Sequence, residues 1–271
     1  MRTGLLLAGV VLVLLLVVVI TGAGFAPKVF SGTFTAPETV HGPVVVELFT
    51  SQGCSSCPPA DKYLKSLAQS PEWQAHVIPL SFHVDYWNYL GWKDPFSDAA
   101  WTERQGDYVT ALGGATLYTP QMVIHGHEDV VGSRFAQVEK VINARAKDAR
   151  SHQAKLAVTR LIRDKDKLSG TVHLTGKIPR SRAPYALIAI AFQKELSTDV
   201  PRGENAGKTL QNDFVVRNLA LVTKLQQTKK LDQQASFEVA LDASMDPERM
   251  GIAILVQHTR TMEIIGATAH F

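Results

Sequence analysis

Two cysteines occur in this chain of 271 residues, three positions apart in Cys54-Ser55-Ser56-Cys57. That spacing limits what they can do. A bond across two intervening residues closes almost no loop, so it constrains the unfolded chain very little. A disulfide framework uses several bridges between distant segments. A structural zinc site needs four ligands, and the sequence holds no second C-x-x-C. The redox reading of the pair is therefore favoured before any fold is considered.

What flanks the pair narrows the fold. Val44-Val45-Val46-Glu47-Leu48-Phe49 is a β-branched, apolar run of the kind that forms a buried strand. A turn, Thr50 to Gly53, leads into the cysteines. Beyond Pro58-Pro59, apolar residues recur at Ala60, Tyr63, Leu64, Leu67 and Ala68, the spacing of an amphipathic helix. Because a residue before proline is pushed from helical angles, this helix is expected to begin at Pro59. Val77 to Val84 reads as a second strand. Ser97 is placed to cap a helix running to about Leu112, and Ser133 to cap another after a hairpin centred on Gly126. The β-α-β start implies a parallel pair with a right-handed crossover, and the hairpin makes the sheet mixed.

The character changes near Arg150. Strands are read at 156–175, 185–192, 237–241, 251–257 and 264–268, separated by turn signals. The expected organisation is a leader or anchor over residues 1–26, a linker over 27–42, an α/β domain over 43–150 with helices on both faces of its sheet, and a β-rich, sandwich-like domain over 151–271.

Leu5 to Ile20 is apolar throughout and follows a single charge, Arg2. It lies between the ~7–15 apolar residues of a signal peptide and the ~20 of a membrane span. A cleaved signal peptide and an uncleaved anchor over residues 4–24 both remain open. Either delivers the rest of the chain outside the cytoplasm, where disulfides persist. The net charge of +3 and the lack of a basic stripe argue against a nucleic-acid partner. Gly203-Glu-Asn-Ala-Gly207-Lys208-Thr209 falls one residue short of a phosphate-binding loop, so a nucleotide is not expected. This polar loop is a candidate to pack near the cysteines.

Strand, Cys54-x-x-Cys57, helix, and then Tyr118-Thr119-Pro120 before a hairpin resembles the thioredoxin pattern over residues 43–150. Glu47 to Asp61, His83 to Asn88, Tyr118 to Met122 and Gly203 to Gly207 are together similar to a family of secreted bacterial thioredoxin-like proteins, a domain of unknown function. The resemblance implies an exposed nucleophile at Cys54, a buried resolving thiol at Cys57 and a cis proline at Pro120. Thr119 would offer its backbone to a substrate strand. It also points to Glu47 as a buried proton-handling acid; the alternative is a glutamate paired by hydrogen bonds at the sheet margin. Tyr86 and Trp87 stand to wall a substrate groove, or else to cover the sheet edge.

The activity so implied is thiol–disulfide exchange with a protein substrate, needing no cofactor beyond the Cys54–Cys57 disulfide. Two alternatives stay open. One is a copper chaperone using Cys54, Cys57 and His83, since soft thiolates suit Cu(I). The other is a binding module with a structural disulfide. His125-Gly-His127 is read as a surface turn at the hairpin tip rather than a metal site.

Overall fold

The computed structural model of the chain describes residues 40–242 and 245–271. The expected leader or anchor, 1–26, and all but the end of the 27–42 linker lie outside the described residues. Among those described, no helix is long and apolar enough to cross a membrane.

β1 (Val44–Thr50) is buried along its whole length and pairs in parallel with β2 (Val77–His83). Continuous apolar strands of this kind need cover on both faces, and the period of two in a strand supplies it. Val44, Val46 and Leu48 meet α1 (Pro58–Gln69) and α3 (Phe135–Lys147) through Leu64, Leu67, Val138 and Ile142. Val45 and Phe49 turn to the other side, onto Trp101 and Tyr108 of α2 (Ala99–Leu112). β3 (Gln121–Ile124) runs antiparallel to β1 and forms a hairpin with β4 (Glu128–Val131).

Three local expectations are corrected. α1 begins at Pro58, with Cys57 already helical at φ −78°, ψ −39°. Both prolines fit the first turn because no N–H is needed there. α2 is capped by Asp98, which accepts from the Ala100 N–H, because the Ser97 hydroxyl is engaged by the Asp94 carbonyl at 2.8 Å. At α3 the cap position is Arg134, with no side-chain cap bond, and not Ser133.

Beyond residue 150 come β5 (Ala154–Arg163), β6 (Lys167–Ile178), β7 (Tyr185–Gln193), β8 (Leu196–Asp199), β9 (Thr209–Asn212), β10 (Val215–Leu225), β11 (Thr228–Ala240), β12 (Met250–His258) and β13 (Ile264–His270). The molecule is a mixed α/β protein built on an eight-stranded mixed sheet of order β13-β12-β7-β10-β2-β1-β3-β4. The strands past residue 150 thus continue the sheet begun by β1 and β2. The joint is β10, which the sequence reading did not identify. Val215 pairs with Ser81 of β2, and the Ser81 N–H donates to the Phe214 carbonyl at 2.8 Å.

A small antiparallel sheet, β11-β6-β5, lies on one face of β7 and β12. Leu168, Val172 and Leu174 of β6 point into that layer with Leu187 and Ala189 of β7 and Ile252 and Ile254 of β12. The opposite face of β7 and β12 shares one core with β1, β2 and α2, through Ile188, Ile190, Phe192 and Leu255. All described residues belong to one compact unit.

A buried polar network crosses that shared core. Glu47, fully buried, accepts from Arg104 Nε at 2.7 Å and Nη2 at 3.0 Å, and from the Tyr108 hydroxyl. Arg104 also donates to Gln257 of β12 at 3.1 Å. Gln257 in turn donates to Tyr108 at 2.8 Å and to the Met262 carbonyl at 2.7 Å. Removing one partner of such a pair leaves an uncompensated buried charge. Arg104→Met is therefore expected to lower unfolding free energy by about 3–5 kcal/mol, and Glu47→Leu combined with Arg104→Met to recover most of it. Urea denaturation of the two variants checks this.

Candidate functional site

The Cys54–Cys57 pair sits where the β1-to-α1 turn becomes helix. The Cys54 N–H donates to Ser51, the Cys57 N–H to Cys54, and the Ala60 and Asp61 N–H groups to the Cys57 carbonyl. The turn holds the two Cα atoms 5.5 Å apart, and the cysteines are joined in a disulfide. With that bond formed, Ser56 Oγ is the donor in its 3.3 Å contact with Cys54 Sγ. Pro58 and Pro59 contribute no N–H, so the first turn of α1 offers fewer donors to a thiolate than an ordinary helix start.

Cys54 was expected to be exposed, and the structure corrects this: both cysteines are 0% exposed. The cover is the loop between β8 and β9. Asn205 donates to the carbonyls of Gln52 at 2.9 Å and Cys54 at 2.8 Å. Glu204 accepts from the Ser55 N–H at 2.9 Å. The Gly203-Glu-Asn-Ala-Gly207 segment thus packs on the cysteine turn, as the sequence suggested. On another side, Trp87 lies so close to Gly53 that a Cβ there would stand 3.2 Å from the Trp87 Cβ.

The Thr119–Pro120 peptide bond is cis. Pro120 lies across Gly132 from the start of α1: a Cβ at 132 would be 3.1 Å from the Cβ atoms of both Pro120 and Ala60. Trp87 Nε1 donates to Thr119 Oγ1 at 2.9 Å. Tyr86, half-buried, lies beside Thr119 and Gln105, and burial pushes its hydroxyl pKa up. The structure therefore gathers Thr119, Pro120, Tyr86 and Trp87 on the cysteine side of the sheet. Tyr86 and Trp87 also pack against the main core. The aromatic stretch meets the covering loop as well, with Leu90 near Gly203 and Gly91 near Arg202.

Glu47 is not brought to the cysteines. Its position in β1 turns it to the α2 face, with Val45 and Phe49, while α1 covers the face of Leu48. The acid on the α1 side is Asp61, one helical turn beyond Cys57. Burial raises its pKa from the ordinary carboxylate range to about 6; the charge of His83 and the nearby Thr50 hydroxyl oppose the rise.

His83, at the end of β2, is fully buried with Nδ1 2.7 Å from Asp94 Oδ2. Burial pulls its pKa down, but the Asp94 charge and hydrogen bond outweigh this and leave it raised. Burial pushes Asp94 up, yet His83 and the N–H groups of Gln52 and Phe96 hold it below its usual range. Around this group Asp61 Oδ1, His83 Nε2 and Ser81 Oγ have no hydrogen-bond partner among the described residues, and Thr50 Oγ1 approaches the carboxylate without completing a bond. Sequence reasoning missed Asp61 and Asp94 as site residues. The one signal for Asp61 is its i+4 spacing from Cys57, which puts the two on one helix face.

His125 was read as part of a surface turn. It is fully buried, accepting from the Val45 N–H at Nδ1 (3.1 Å) and therefore donating from Nε2 to the Ser151 carbonyl (2.9 Å). Burial and the neighbouring His152 lower its pKa to about 3, which keeps it neutral. His127 alone is exposed. Among the described residues no group of three His, Cys, Asp or Glu side chains is arranged to hold a metal ion.

A family model described as a protein of unknown function (DUF1223) matches residues 45–257. Among solved structures, protein AGR_C_4864 from Agrobacterium tumefaciens is similar with a TM-score of 0.62 and 29% identity, over 86% of this chain and 95% of that one. HBP35 of Porphyromonas gingivalis gives a TM-score of 0.61 at 14% identity, over 86% of this chain and 75% of that one, a likeness of fold alone. No curated protein matches the chain.

The titrating groups near the cysteines do not share one sign: His83 and Asp61 are raised and Asp94 is lowered. His83 is raised in the folded state, so the stability it contributes is fully present below its unfolded pKa of ~6.5 and lost as pH rises through the folded value. Asp61, raised to about 6, acts in the same direction at lower pH. Asp94, depressed, contributes above ~3.8 and loses that contribution as pH falls. Arg217 also faces this group and opposes charge on His83. Stability is expected to fall as pH rises through neutrality, and His83→Gln to flatten that fall. Urea midpoints measured from pH 5 to 9 (about the range in which His titrates) check it.

Proposed function

The chain belongs to the DUF1223 family, proteins of unknown function, and we propose that it is an extracytoplasmic thiol–disulfide oxidoreductase acting on protein substrates through Cys54 and Cys57. The observation that carries this reading is the Cys54–Cys57 disulfide at the N-terminus of α1. Support comes from Pro120, which lies across Gly132 from the start of α1, and from the thioredoxin-like order of elements over residues 43–150. The apolar N-terminal segment supports an extracytoplasmic setting, as a cleaved leader or a membrane anchor. Neither a nucleotide nor a nucleic acid has a part in this reading.

In the proposed cycle the Cys54 thiolate of the reduced pair attacks a disulfide of the partner, one partner sulfur leaves as a thiolate, and a mixed disulfide remains. Cys57, as its thiolate, then attacks Cys54 Sγ; the Cys54–partner bond breaks, the partner's second sulfur leaves as a thiolate, and the Cys54–Cys57 disulfide re-forms as the partner's is reduced. The Cys57 proton must be taken up nearby for that attack. Asp61, with a pKa near 6 and one turn away, is suited to accept it. In this reading Asp61, backed by His83 and Asp94, takes the role the resemblance assigned to Glu47. Ser56 Oγ, 3.3 Å from Cys54 Sγ, is the donor available to a Cys54 thiolate.

One observation favours a second reading, a disulfide that only stabilises a binding module: both cysteines are fully buried. Its consequence is a bond that resists mild reductant in the folded protein.

Cys57→Ser separates the two. Exchange chemistry predicts Cys54 mixed disulfides with envelope proteins, released by reductant and seen on non-reducing gels. The absence of any adduct overturns the proposal. Asp61→Asn is expected to leave the disulfide able to form while slowing resolution roughly tenfold near neutrality, less than the 10²–10⁴ typical of general acid–base catalysis. It should also remove the step near pH 6 from the rate profile measured by stopped-flow thiol exchange.

A further inference from the structure

The loop over the cysteines is built to be lifted as a unit. β8 and β9 pair only with each other and belong to neither larger sheet. Their loop is closed on itself by bonds from the Val200 N–H to Lys208 at 2.9 Å and from the Gly207 N–H to Val200 at 2.8 Å. Gly203 and Gly207 take φ of 86° and 78°, which L side chains rarely adopt, and so turn the tip back toward the cysteines. An isolated two-stranded hairpin is marginal in water, so this one is held by what it touches: its stem rests on α1 and its tip grips residues 52–55.

That grip is polar and directed almost wholly at backbone. The Glu204 N–H donates to the Gly53 carbonyl at 3.4 Å, and its carboxylate accepts from the Ser55 N–H. The Asn205 carboxamide, fully buried, donates to the carbonyls of Gln52 and Cys54 and is itself oriented by Lys208 Nζ on its Oδ1 at 2.9 Å. Side-chain ties lie at the hairpin's stem, where Gln52 Nε2 donates to Asn212 Oδ1 at 2.8 Å and Lys65 of α1 pairs with Asp213 at 2.7 Å. Lifting the tip leaves a short row of backbone groups beside the disulfide: carbonyls at 52, 53 and 54, and the N–H of Ser55. Such a row suits an extended polypeptide that presents N–H donors and one acceptor.

We propose that the β8–β9 hairpin is a hinged cover, whose Gly203–Asn205 tip occupies the edge on which an extended segment of the disulfide partner docks. The docking half rests on the thiol–disulfide reading above. The cover half does not: it concerns access to the bond, whatever the bond is for. Displacement costs the cover its hydrogen bonds, and the incoming segment restores equivalent ones, so exchange of one for the other is close to balanced. The cover therefore shields Cys54–Cys57 from small thiols while yielding to a matched chain.

Reduction of the full-length disulfide protein by dithiothreitol, followed by mass-shift thiol labelling in rising urea, tests the cover. Local lifting predicts a rate that stays flat in low urea, whereas access through global unfolding predicts a steep rise from the start. Asn205→Ala should raise the flat rate roughly tenfold or more and Glu204→Gln, at an exposed group that cannot unfold the protein, a few-fold. Asn218→Ala, which removes an exposed hydrogen bond elsewhere, should leave it unchanged. A wild-type rate that climbs from zero urea, with the variants moving only as their global stability moves, overturns the cover.

Hydrogen exchange on Cys57→Ser joined through Cys54 to a short synthetic cysteine peptide tests the docking edge. Amides of the loop should lose protection while Ser55 keeps it. Loss at Ser55 as well overturns the docking half, and does so without bearing on whether mixed disulfides form in the envelope.

Discussion

A charge at the centre of a buried strand has to be answered, and in this protein much of the architecture follows from the answer. Glu47 lies in β1 with no exposure, and an isolated carboxylate there costs several kcal/mol even after relaxation. Arg104 meets it with two bonds, which sets the rotation and depth of α2. The guanidinium and Tyr108 then require acceptors and donors of their own, and Gln257 on β12 supplies them. One carboxylate thereby ties the first strand to the next-to-last through a single connected network. Glu47 is paired within the early α/β segment, and the groups that pair it reach on to the late β segment at Gln257.

The same coupling brings the cysteine turn under the control of distant sequence. β10 joins β2 at Ser81, and the hairpin just before it reaches over Gln52 to Ser55. Gln52 shows how complete the tie is. Its N–H goes to Asp94, its carbonyl to Asn205 and its side chain to Asn212. The cysteine turn is held on three sides. The acid beneath it lies on the helix and not on the strand, because the parity of β1 points Leu48, not Glu47, toward α1.

Much of this was legible in the chain. The β-branched run at Val44 and the 3.6-residue spacing after Pro59 announce β1 and α1, since each reflects a single local period. The cis bond at Pro120 and the polar Gly203–Gly207 loop near the cysteines agree with what the resemblance and the sequence led one to expect. β10 was not legible: Arg217 and Asn218 interrupt its apolar residues, and the strand is half-exposed over much of its length. His125 misled because a His-Gly-His turn looks solvated, whereas Val45 and Ser151 bury it between a donor and an acceptor.

By itself the sequence determined that two cysteines stand at a strand-to-helix turn, with no other cysteine to pair with and a long apolar segment ahead of them. Those are matters of spacing and local period, which a linear chain states directly. Whether the sulfurs meet solvent and how the turn that carries them is held were decided by tertiary structure alone. Both depend on groups 42 and 151 positions apart, as Gln52 with Asp94 and Cys54 with Asn205 are. Only the packing of both faces of one sheet, under the requirement that every buried charge be paired, brings such groups together.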